Sequence, residues 1–143
     1  MYLCLKANRA DLLGETADEQ VQIATVMGVL KDLTKAFSGY CYGAKAYEEI
    51  KEEAIKSLKP SIDKLQGLLG EKEWFAERLS YCDFIVGDFL QVYSLFNEKF
   101  AGEYPKLKSL QERMWSLEGI SSYLKSDRFK ERPINWYPEA KWF

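Results

Sequence analysis

A chain of 143 residues with 47% apolar residues and a net charge of −2 is the right size for one domain with a substantial core. The small net charge argues against a nucleic-acid or anionic-membrane partner, and the absence of histidine removes Ser-His and Cys-His nucleophiles and most transition-metal sites. Cys4, Cys41 and Cys82 are an odd number without C-x-x-C spacing, which fits reduced, buried thiols in the cytoplasm or another intracellular reducing compartment.

Residues 2–9 read as one or two helical turns, too short to stand alone, leading into Ala10–Gly14. Thr16 with Glu19 three residues on has the form of a capping box. From there Ile23, Val26, Leu30, Leu33 and Phe37 recur at helical spacing, which predicts about six turns ending near Gly39. Helical spacing resumes at Tyr47, Ile50, Ala54, Leu58, Ile62, Leu65 and Leu69 and stops at Gly70. Pro60 inside this run should bend the helix or break it near Lys59, because it supplies no N–H and crowds the preceding turn. Residues 71–78 read as a loop whose Trp74 and Phe75 plug the core.

The next segment, LSYCDFIVGDFLQVYSLF over residues 79–96, reads as the centre of the fold, a buried helix near residues 80–98. Ser80 and Asp83 form a second capping-box pair, and Leu79 and Phe84 occupy the two positions of a hydrophobic staple. The helix is apolar nearly all round, hence buried on all sides, yet too short and too interrupted by polar residues for a membrane span. Residues 99–103 read as a connection. Tyr104-Pro105 opens a helix with buried Leu107, Leu110, Met114 and Leu117, and the neighbourhood of Gly119 separates a last helix over residues 120–125. The tail, with Trp136, Tyr137, Trp142 and Phe143, is aromatic enough to wrap over the bundle or fill a partner's groove. The fold class is all-α, a helical bundle.

Several of these pieces, LLGETADEQ, the GYCYG turn, WFAERLSYCDF and EYPKLKSLQERMWSLEGISSYLKSDRF, together with a terminal tryptophan, are distinctive as a set. Over essentially the whole chain the sequence resembles the helical C-terminal domain of a cytosolic glutathione S-transferase, nearest to the mu class and its sigma-like relatives. The resemblance implies that residues 1–13 correspond to the last helix of a thioredoxin-like domain plus linker, and residues 14–143 to the helical domain.

The resemblance also implies roles. Tyr42 matches the tyrosine whose hydroxyl faces the electrophile pocket in mu enzymes, and Asp32 matches an aspartate that reaches the glutathione bound by the neighbouring subunit. Lys31 and Lys35 stand where mu enzymes commonly carry apolar pocket residues, a departure from the family pattern. Trp136 and Tyr137 fall where the family tail closes the pocket. The tyrosine that activates the glutathione thiol belongs to the thioredoxin-like domain and has no counterpart in these residues. The residues alone leave Tyr42 open between an electrophile-facing acid and a tyrosine packed at a helix break, and Asp32 open between a ligand contact and a solvated helix face.

Two functions follow as expectations. One is a non-catalytic helical module that binds protein partners, as a homodimer or as a subunit of a larger assembly, with no cofactor. The other is the C-terminal half of a mu-like glutathione transferase, with glutathione as cosubstrate once the thioredoxin-like domain is supplied. A ligand-carrying helical protein that keeps only the apolar pocket is a third.

Overall fold

The computed structural model describes residues 4, 7–43 and 47–129. A 3-10 turn, Ala10–Leu13, leads into six helices: α1 Ala17–Cys41, α2 Tyr47–Leu69, α3 Tyr81–Phe96, α4 Phe100–Glu103, α5 Pro105–Ser116 and α6 Glu118–Leu124. No strand occurs among the described residues; a single isolated bridge joins Ala76 and Arg78. The all-α class is therefore the observed one. The expected turns at residues 2–9 and the aromatic tail from residue 130 onward lie outside the described residues.

Helix α1 begins where its sequence predicts. Thr16 is extended, the Glu19 N–H donates to its hydroxyl at 3.2 Å, and the Glu19 carboxylate accepts from the Thr16 and Glu15 N–H groups. The end differs from expectation: the helix runs through Gly39 to Cys41, and Tyr42 is its C-cap. Phe37 and Cys41, buried one turn apart, hold the last turn on the core, so one solvent-facing glycine does not end it.

Helix α2 is continuous through Pro60, so of the two expected outcomes, a bend or a break near Lys59, the break does not occur. Leu58, Ile62 and Leu65, each 2% exposed or less, seat both sides of the exposed proline in the core. Packing of that stripe offsets the missing N–H. Gly70, with φ of +58°, then stops the helix in a backbone conformation other side chains resist.

α1 and α2 lie along each other, and α3 packs against α1 on one side and α5 on another. An aromatic cluster fills the middle. Phe37 meets Phe96 edge-on at 5.0 Å, Tyr93 stacks on Phe89 at 5.9 Å, and Phe100 meets Tyr93 edge-on at 5.7 Å. Burying each such ring stabilises the fold by about 1.5–3 kcal/mol.

Helix α3 is central but not enclosed, which corrects the all-round burial. Val86, Leu90, Tyr93 and Phe96 are fully buried, whereas Ile85 is 42% exposed and Asp88 is also exposed. Gly87 lies on the covered side, where a Cβ would meet the Sδ of Met114 and that side chain would have to shift. Residues 99–103 are more than a connection: they include α4, whose Phe100 is 1% exposed and joins the aromatic cluster. The break before the last helix falls at Leu117, with ψ of 130°, and Gly119 lies inside α6. In the 71–78 loop, Phe75 enters the core, while Trp74 is only half-buried and carries the Arg113 guanidinium over its face.

Candidate functional site

The residues singled out for chemistry lie on α1. Asp32 and Tyr42 are ten residues apart, which on a helix is about 15 Å along the axis and roughly 80° around it. The structure thus puts them on one element but not at one point. Tyr42, at the helix end, is 42% exposed, and Asp32 is exposed together with Lys31 and Lys35.

α1 and α3 enclose an open groove of about 450 Å3, lined by Met27, Gly28, Leu30, Lys31, Thr34 and Ile85, with neither Asp32 nor Tyr42 in its lining. Its surface is almost all carbon apart from Lys31 and Thr34. Gly28 has open space where a side chain would stand, which deepens the groove. Ile85 was not foreseen as exposed. The sequence signal for it was Gly28 itself, a mid-helix glycine whose cost of about 1 kcal/mol relative to alanine asks for a reason.

What holds α3 in place under this groove is the Ser80–Asp83 pair. Asp83 is fully buried; one carboxylate oxygen accepts from the Phe75 N–H at 3.0 Å, the other from the Ser80 N–H at 2.8 Å and the Ser80 hydroxyl at 2.7 Å. The box geometry is present, and its strong half is the carboxylate's. Burial pushes the Asp83 carboxyl above its ordinary range, against the hydrogen bonds that favour the ion. Leu79 and Phe84, the staple positions, are both half-buried. Arg78, just before the cap, bonds Glu19 at 2.8 Å and Glu15 at 2.7 Å, tying the start of α3 to the start of α1.

Cys82 is completely buried beside Ser80, and burial, with the Asp83 charge second, pushes its thiol up to about 12. Cys41 is buried and Cys4 partly so; all three are free thiols. Among the described residues no three Cys, Asp or Glu side chains are arranged to hold a metal ion, and no helix is long and apolar enough to cross a membrane.

The family model for the glutathione S-transferase C-terminal domain matches residues 31–127, from the middle of α1 to just beyond α6. This chain belongs to the glutathione S-transferase C-terminal domain family. Human glutathione S-transferase Mu 1 is 31% identical over 133 residues, which are 92% of this chain and 61% of that protein. The bovine Mu 1 protein is 32% identical over 129 residues, or 90% of this chain and 59% of the relative. The chain thus spans about three-fifths of the length of these mu-class relatives. A solved structure of rat hPGDS complexed with a quinoline superposes with a TM-score of 0.66 at 24% identity, covering 90% of this chain and 69% of that one. That likeness shows the fold.

Within this family frame, Tyr42 and Asp32 stay on α1 with both side chains open to approach. The groove between α1 and α3 is a feature of tertiary structure that neither residue's sequence context announces.

Proposed function

We propose that this helical domain is the electrophile-side half of a mu-like glutathione transferase, inactive by itself and completed by a thioredoxin-like, glutathione-binding domain on the same or another polypeptide. The observation that carries the proposal is the open apolar groove between α1 and α3, with Ile85 42% exposed, on the helix that also bears Asp32 and Tyr42. An apolar face of that kind beside polar groups is a surface for another folded unit.

On this reading the partner domain supplies the hydroxyl that lowers the pKa of the glutathione thiol. The thiolate then attacks the electrophilic carbon, forming the C–S bond as the leaving group or the developing oxyanion takes the electron pair. Tyr42 donates its O–H to that oxyanion or leaving group, stabilising charge that exists only in the transition state. Asp32, exposed on α1, reaches the tripeptide held by a neighbouring subunit, so the working form is a homodimer or a larger assembly. Glutathione is the cosubstrate and no other cofactor is needed. The buried, reduced cysteines suit an intracellular compartment.

The second reading is a purely structural, protein-binding subunit. Lys31 in the groove and Lys35 on the exposed face of α1 favour it, because charged side chains there replace apolar lining for an electrophile.

One experiment separates the two. The 143-residue chain alone, and the same chain fused behind the thioredoxin-like half of human Mu 1, are assayed for conjugation of glutathione to 1-chloro-2,4-dinitrobenzene. The chain alone is expected to show the uncatalysed rate. The folded fusion is expected to turn over, with Tyr42→Phe lowering its kcat. A folded, dimeric fusion without turnover supports the structural subunit, and turnover by the chain alone overturns both readings.

A further inference from the structure

The α1–α3 groove is lined by carbon but for Lys31 and Thr34. The Thr34 hydroxyl is turned back on its own helix, donating to the carbonyl oxygens of Leu30 at 2.9 Å and Lys31 at 3.0 Å. The polar group that the groove presents is the Lys31 ammonium. From it, Lys35, Ser38 and Tyr42 follow at steps of four, three and four residues along α1, and such a series returns to within about 20° of its start. All four residues are exposed, so they form one open stripe from the groove to the helix end. Lys35 lies about 10 Å along the axis from Tyr42, and Lys31 about 16 Å.

Neither ammonium on this stripe is matched. Among the described residues no carboxylate lies within ion-pair distance of Lys31 or Lys35. Asp32 stands about 100° round the axis from Lys31, off the stripe, and Asp88 on α3 is exposed without joining either lysine. Like charges four residues apart on a helix repel, and an ammonium beside a carbon surface gives up part of its hydration. A domain closing over this face raises both costs unless an anion enters with it.

We propose that the half-site takes electrophiles that carry a carboxylate, with Lys31 and Lys35 as the residues that select them. The inference rests on the transferase reading, which sets the reacting carbon at Tyr42 and leaves the lysines to the other end of the substrate. The carboxylate lies on Lys35, the nearer ammonium, with Lys31 behind it. The apolar part of a longer substrate runs on over Met27, Leu30 and Ile85. The two lysines that disfavour a neutral electrophile therefore suit a charged one. Neither touches the reacting atoms, so they act mainly on KM while Tyr42 acts on kcat. With an aryl chloride the C–S bond forms and the C–Cl bond breaks; chloride leaves with that bond's electron pair, and the thiol proton passes to solvent.

The test uses the 143-residue chain fused behind the thioredoxin-like half of human Mu 1, with 4-chloro-3,5-dinitrobenzoate and its neutral primary amide as electrophiles. Each rate is divided by the uncatalysed one, which removes the difference in intrinsic reactivity. The enhancement in kcat/KM is expected to be at least about tenfold larger for the carboxylate. The double variant Lys31→Met, Lys35→Met raises KM for the carboxylate about tenfold, with kcat within about twofold, and raises turnover of the amide. Lys31→Arg, Lys35→Arg keeps the preference, and raising salt from about 50 mM to about 500 mM weakens it in the parent but not in the methionine variant. Tyr42→Phe lowers kcat for both probes alike.

Equal enhancement of the two probes, or a preference that survives the methionine substitutions, would overturn this proposal and leave the transferase reading standing. So would methionine substitutions that slow both probes equally, since the lysines would then act on the fold and not on the charge. A folded fusion that turns over neither probe would sink the transferase reading and this inference with it.

Discussion

Replacing Asp83 by alanine removes the acceptor for three donors at once: the N–H groups of Phe75 and Ser80 and the Ser80 hydroxyl, at 3.0, 2.8 and 2.7 Å. Asp83 and Phe75 are 0% and 1% exposed and Ser80 is 1% exposed, so water reaches these donors only if the start of α3 opens. A buried donor left without a partner costs about 1–3 kcal/mol, and the lost cap alone accounts for about 1 kcal/mol of that. Partial rehydration keeps the sum near 4 kcal/mol, a large share of the roughly 5–15 kcal/mol that holds a domain together. In urea, monitored by far-ultraviolet circular dichroism, this moves the midpoint down by about 2 M for an m-value of about 2 kcal/mol/M. Ser80→Ala deletes one hydroxyl and should cost only about 1 kcal/mol. An Asp83→Ala chain within about 1 kcal/mol of the parent would refute the reasoning, as would a Ser80→Ala chain that is the weaker of the two.

Other consequences follow from the same geometry. Hydrogen bonds from the Thr16 and Glu15 N–H groups, with Arg78 adding to them, hold the Glu19 carboxyl below its ordinary value. A folded value below the unfolded one means that its contribution is present above about pH 4.3 and is lost as the pH falls through the folded value. The stability difference between the parent and Glu19→Gln should therefore shrink between about pH 6 and about pH 3, and a constant difference would count against the ion's role. Pro60→Ala restores an N–H within an unbroken α2 and should stabilise the chain by about 1–2 kcal/mol in thermal unfolding, after the smaller unfolded-state entropy of proline is allowed for. A loss of stability would show that the proline fits a bend the packing requires. Cys82, buried and raised to about 12, should stay unmodified by iodoacetamide near pH 8 in the folded chain and react on denaturation, read by mass spectrometry.

Local signals in the sequence carried a long way because each had a short-range cause. The Thr16–Glu19 and Ser80–Asp83 pairs set two helix starts through contacts three residues apart, and Pro105 opens α5 at its first position. Stripes of buried residues such as Ile23, Val26, Leu30, Leu33 and Phe37 were legible for the same reason: helical period follows directly from spacing. Where a stripe of buried residues outweighed a local signal, the helix ran on past it. Gly39 and Pro60 both look like stops, yet neighbours at 6% exposure or less keep α1 and α2 running.

For the candidate site the division is sharper. Tyr42 and Asp32 were recognisable as residues, on a helix whose existence was certain from periodicity, and family membership follows from the chain as a string. Composition and spacing alone could not say which apolar residues of α3 would be left uncovered, because burial depends on what packs from elsewhere. Only the packed helices decided that Ile85 stands open beside Met27 and Gly28, that Tyr93 buries its hydroxyl beside Asn97, and that Lys51 meets a glutamate 47 residues away. Spacing specifies the face a side chain takes on its own helix; the partner that face meets is set by how distant segments pack, and that is a property of the whole fold.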